Sequence, residues 1–132
     1  MDVVLAVLLL VTATVTVAYW VDFFVRGSVH VVEEEWYIRF ERAFPAADGW
    51  MALCSLIAGV GLLVGSDAGT VFGLAAAGAL VFLGLMDVLF NLQNGLYRLL
   101  PGSSAMWAEV VINVWSLALG GVLLGYLAGR VG

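Results

Sequence analysis

VFGLAAAGALVFLGLMDVLFNLQNGLY, residues 71–97, is the stretch whose reading decides the fold. From Val71 to Met86 it carries no charge at all. A bilayer core about 30 Å thick is crossed by about 20 helical residues, and this run is long enough to do so. Asp87, Asn91, Gln93 and Asn94 then appear among Leu, Val and Phe. The run predicts a membrane helix, and the polar residues demand a reason for being in it.

The rest of the chain reads the same way. Three other apolar stretches are evident, roughly Val3–Val25, Trp50–Val64 and Ala105–Leu127. Over 132 residues the sequence is 64% hydrophobic and 11% charged, against about 45–50% apolar and about 25% charged in ordinary soluble domains. A chain this short leaves much of its surface outside, so the expected solvent for that surface is the lipid bilayer. Backbone groups in lipid are paired within their own segment, which favours helices. The expected fold is an all-α integral membrane protein: one domain over 1–132, an antiparallel four-helix transmembrane bundle. The expected helices are 3–25, 48–65, 70–98 and 104–129, with an interfacial segment at 28–45. The opening Met1-Asp2-Val3 lacks a positively charged start and no Ala-x-Ala site follows, so the first helix is expected to be retained rather than cleaved.

The breaks fit this layout. Gly65-Ser66-Asp67-Ala68-Gly69 reads as a tight turn, and Pro101-Gly102-Ser103-Ser104 as a turn in which either serine can cap the last helix. Asp48, after Pro45, is a candidate cap for the second helix. In the segment between the first two helices, Val32, Trp36, Phe40 and Phe44 recur every four residues, as expected of a short surface helix with an aromatic face in the headgroups. An extended Val29–Val32 or a plain surface loop fits the same residues.

Arg26, Arg39, Arg42 and Arg98 fall at the end of the bundle opposite the termini, and Arg130 at the end with them. Short-loop arginines mark the cytoplasmic face, which predicts cytoplasmic loops 1–2 and 3–4 and termini outside. Trp20, Trp36, Trp50 and Trp107 lie toward the same loop end, as an interfacial belt would, with Trp115 deeper.

Charged side chains in a membrane helix usually face the bundle interior and a partner. Gly84, Asp87, Asn91, Asn94 and Arg98 are spaced by three or four and define one stripe on the third helix. On the fourth, Glu109 and Asn113 lead into Gly121, Gly125 and Gly129, a Gly-xxx-Gly series that admits a close neighbour in this chain or another. Counting rises of 1.5 Å per residue, Asp87 is expected to face Asn113, and Asn91 to face Glu109. Tyr19 and Asp22 on the first helix join them, Asp22 in ion-pair spacing with Arg26. The expected ligand-binding set is Asp87, Glu109, Asn91, Asn94, Asn113, Tyr19 and Asp22, gathered in a polar crevice toward the loop end. The expected packing set is Gly84, Gly121, Gly125 and Gly129.

The expected function is binding of a small molecule, proton or cation in that crevice, with proton-coupled transport as one use of it. The alternative is a structural or accessory subunit that assembles through the glycine stripes as a homodimer or with a partner membrane subunit. A polar clamp between helices is the bland explanation of the same acids and amides. No Ser-His-Asp set, nucleotide loop or HExxH motif occurs, and nothing is basic enough for nucleic acid. A third reading of the same acids is an intramembrane acid–base enzyme using Asp87 and Glu109, and the cofactors are left open. His30 with Glu33, Glu34 and Glu35 lacks a specific metal-ligand spacing. Cys54 stands alone and reads as a packing residue.

The segments ERAFPAADGWM (41–51), MDVLFNLQNGLY (86–97) and AEVVIN (108–113) resemble a group of uncharacterised small four-helix bacterial membrane proteins. That resemblance implies the fold and carries no activity. The size and layout also resemble the small multidrug resistance transporters, but the buried glutamate of their first helix has no counterpart here, where Thr12, Thr14 and Thr16 stand.

Overall fold

The computed structural model describes residues 1–132 and is entirely helical, without strands. Five α-helices are formed: α1 (Asp2–Val25), α2 (Glu35–Glu41), α3 (Pro45–Val64), α4 (Asp67–Gln93) and α5 (Ser104–Ala128). A 3₁₀ segment, Leu96–Gly102, joins the last two. The four long helices are each apolar and long enough to cross a membrane, and they pack into a bundle-like body.

Local chemistry sets the boundaries. Pro45 opens α3 at a first-turn position, where its missing N–H costs nothing. Gly65, left-handed at φ 68°, ends that helix, and Ser66 N–H returns to the Gly61 carbonyl. The Ser66 and Ser103 hydroxyls then accept the backbone N–H groups of Ala68 and Met106, capping α4 and α5. Asp48 caps nothing, because α3 has already begun three residues earlier. Gly95, at φ 62°, turns the chain out of α4, so the helix expected to reach residue 98 stops at Gln93.

The helices pack in chain order, α1 on α3, α3 on α4 and α4 on α5. The closest approach is made by glycines of α3 and α4: a Cβ on Gly61 would meet Gly69 N at 2.4 Å. On α5, the glycine in contact is Gly120, where a Cβ would lie 3.1 Å from the Ala77 carbonyl oxygen. Gly84 lies against Leu117 and Ser116. Gly121 and Gly125 instead have nothing near them, and Gly129 only its own helix. Helical geometry explains the correction. At about 100° per residue, each step of four overshoots a full turn by about 40°. A strict every-fourth row therefore winds away from the face that holds Glu109. The buried face of α5 alternates fours and threes: Glu109, Asn113, Ser116, Gly120, Leu123, Leu127.

One half of the interior is apolar. Leu5, Leu9, Ala58, Ala77, Leu80 and Leu123 are buried there, with Cys54 among them. The chain ends meet at this end, where Asp2 accepts hydrogen bonds from Tyr126 Oη at 2.8 Å and Arg130 Nη1 at 3.0 Å. The outer faces are apolar as well: Val15, Leu56 and Phe82 are 53%, 48% and 63% exposed.

Candidate functional site

The other half of the interior is polar, and a cavity of about 240 Å³ lies within it. All five helices contribute to its wall. Tyr19 and Trp20 come from α1, Glu41 from α2, Asp48 from α3, Asp87 from α4, and Glu109 and Trp115 from α5. Four carboxyl groups thus line one cavity, and no arginine or histidine does. Aromatic faces from Tyr19, Trp20, Phe44 and Trp115 complete the wall.

The carboxyls differ in their tethering. Glu109, 4% exposed, accepts from Tyr19 Oη at 3.3 Å and from Asn91 Nδ2 at 3.5 Å. Asp48 accepts from Trp20 Nε1 at 2.7 Å. Asp87 and Glu41 have no hydrogen-bond donor within the protein, although Glu41 is only 5% exposed. Two of the four carboxyls thus face the cavity without a donor from the protein, where unpartnered charge is costly.

Of the residues singled out by spacing, the structure brings Tyr19, Asp87, Asn91 and Glu109 together. It turns three away. Asn94 lies at the end of α4, exposed, its amide donating to the Phe90 carbonyl at 2.9 Å. Asn113 is buried, but donates to Tyr97 Oη at 2.7 Å rather than facing Asp87. The turn at Gly95 folds Tyr97 back onto α5, which a helix continuing to residue 98 would not do. Asp22 accepts from Ser28 Oγ at 2.7 Å and from Val29 N at 3.1 Å, and so fastens the loop after α1 instead of pairing with Arg26. Arg98 sits exposed in the 3₁₀ segment, off the α4 stripe.

Two site residues were missed, Glu41 and Asp48. The aromatic spacing drew attention to Trp36 and Phe40, yet Trp36 is 43% exposed and Phe40 stacks on Phe90 at 3.8 Å between ring centroids. The inward face is Tyr37, Glu41, Phe44 and Asp48, spaced four, three and four. That periodicity was present in the sequence but competed with the more conspicuous aromatic one.

His30 is occupied locally: Nδ1 lies 3.1 Å from the Glu33 carboxylate and Nε2 3.0 Å from the Phe23 carbonyl. Glu34 and Glu35 turn instead to Trp36 and Arg39. Neither there nor in the cavity do three or more such side chains converge as a metal site.

Comparison with known proteins adds no relative: no family model, no curated protein and no solved structure matches this chain.

Proposed function

We propose that this protein is a multi-pass membrane protein, an antiparallel bundle of α1, α3, α4 and α5, whose polar cavity binds a small cation in competition with protons. The apolar outer faces support insertion, since exposed patches of this extent are not left to water by soluble monomers. Termini outside and the α2 side cytoplasmic follow from the arginine distribution. The observation that carries the functional reading is the cavity wall: four carboxyls, no base and four aromatic side chains. Carboxylates supply charge, and aromatic faces attract organic cations. At about 240 Å³ the cavity is smaller than the ~300–1,000 Å³ of drug-sized sites, which suits a compact headgroup. Asp87 is the principal group, with Glu41 beside it, while Glu109, positioned by Tyr19 and Asn91, and Asp48, held by Trp20, complete the charge. Exchange of the cation for protons is the transport step such a site supports.

Trp20 and Trp115 line the cavity and report on it. Tetramethylammonium should quench their fluorescence in protein held in lipid nanodiscs. Asp87→Asn with Glu109→Gln should weaken that binding at least tenfold. An unchanged titration in the double variant counts against the reading.

A second reading has its own support. Gly121 and Gly125 are exposed on the outer face of α5 with open space above them, as a surface awaiting another helix would be. On that reading the protein is a structural subunit or homodimer, and Gly125→Leu disrupts the assembly while Asp87→Asn does not. Native mass spectrometry in mild detergent separates the two.

A further inference from the structure

The cavity is not closed on all sides. α1 and α5 approach each other less closely than the other neighbouring helices, and polar side chains span the seam between them. Trp115 Nε1 donates to Thr12 Oγ1 at 2.8 Å, and Tyr19 Oη to Glu109 at 3.3 Å. Between these two bridges lie about 10 Å of α1 and about 9 Å of α5 at 1.5 Å per residue. Val15 and Val111 flank this window, 53% and 62% exposed, and both also line the cavity. The opening therefore faces sideways, toward whatever surrounds the bundle.

An apolar groove passes the same place. It is about 470 Å³ in volume, is walled wholly by hydrophobic side chains, and shares Val111 and Trp115 with the cavity. It follows α5 from Trp107 to Val122, with Leu8 of α1 and Ala118 on its walls, a run of about 22 Å. An acidic, aromatic chamber and a greasy channel thus meet at two residues.

We propose, resting on the cation reading above, that the ligand is a single-chain lipophilic amine or quaternary ammonium. It enters from the bilayer between α1 and α5, with its cationic head among the carboxyls and its alkyl tail in the groove. The charge of the cavity selects the head and repels the phosphate of an ordinary phospholipid. Of the two grooves that share residues with the cavity, only the one along α5 is walled wholly by hydrophobic side chains, and it accepts one chain. A ligand already dissolved in the bilayer reaches the window without passing through water.

The test compares dodecyltrimethylammonium with tetramethylammonium, which share a head and differ in the tail, by tryptophan quenching in nanodiscs. Ala118→Phe fills the groove from an exposed position on α5, so it disturbs no core. It should reduce the ratio of dodecyl to tetramethyl affinity at least tenfold. Val122→Phe should do the same, and Leu56→Phe, on the outer face of α3, should leave the ratio at its original value. Partitioning of the dodecyl cation into the lipid is common to all variants and cancels in the comparison. A ratio unmoved by both groove variants, with tetramethylammonium still bound through Asp87 and Glu109, overturns the tail groove and leaves the cation site standing. Failure of both cations to quench the unmodified protein overturns the two together.

Discussion

Thr12 and Trp115 join the first and last long helices through one hydroxyl that works twice. Thr12 Oγ1 donates to the Leu8 carbonyl at 2.7 Å and accepts from Trp115 Nε1 at 2.8 Å. The first bond fixes the hydroxyl's rotamer and points its lone pair across the seam. Trp115→Phe keeps the aromatic wall and removes the donor. Polar bonds between membrane helices average about 0.6 kcal/mol, so Trp115→Phe and Thr12→Val should each destabilise modestly. Combined, they should lose less than the sum of the two, because each abolishes the same bond. Thermal unfolding of the four proteins in one detergent measures the coupling, and strict additivity would show that the bridge contributes nothing.

Glycines on one face of the bundle should not tolerate what glycines on the other do. A Cβ on Gly69 would lie 2.7 Å from Leu62 N, backbone against backbone. Gly69→Ala must therefore push α3 and α4 apart, and overpacking of this kind costs about 1–3 kcal/mol. Gly121→Ala meets open space and gains the helix preference of alanine, about 0.5–1 kcal/mol. Opposite shifts in melting temperature are expected. A stable Gly69→Ala protein would mean that the α3–α4 crossing is wider than described.

These glycines also show where the sequence was legible and where it was not. Helix number, approximate spans and the division into a polar and an apolar half follow from hydropathy and spacing, because those properties are periodic along the chain. Rotation of a helix about its axis is set by three-dimensional packing. The register of α5 fell to Gly120 because Val81 and the Ala77 carbonyl leave no room for a Cβ there, and nothing in α5 alone announces that. The same holds for Asn113 and Tyr97, whose contact depends on the single left-handed residue Gly95. Glu41 was hidden by its neighbours: flanked by Phe40 and Arg42, it reads as a surface charge until Tyr37 is known to be buried.

Topology has its own test. Asp2 and Arg130 meet, so both termini lie at one end, and the orientation proposed above has that end outside. Cys54 is fully buried and should be silent toward a membrane-impermeant maleimide. In intact cells, Gly132→Cys should label from outside, whereas exposed Ser104→Cys should label only after the membrane is opened. The reverse pattern would invert the assignment, and labelling of both positions in intact cells would remove the bilayer from between them.

The pH dependence of binding isolates the carboxyls. A quaternary ammonium has no proton to lose, so any change of its affinity with pH belongs to the protein. The groups facing the cavity are Tyr19 from α1, Glu41 from α2, Asp48 from α3, Asp87 from α4 and Glu109 from α5. All four acids are attractive when ionised and neutral when protonated, so lowering the pH must weaken tetramethylammonium binding and raising it must strengthen it. By linkage, binding at a pH where the acids are partly protonated must release protons. An indicator dye in weakly buffered solution should therefore report acidification on adding tetramethylammonium chloride, absent in Asp87→Asn with Glu109→Gln. His30, fastened to Glu33 and the Phe23 carbonyl outside the cavity, should be irrelevant, and His30→Asn should keep the pH profile. A flat profile in the unmodified protein would show that the cation does not sit among the carboxyls.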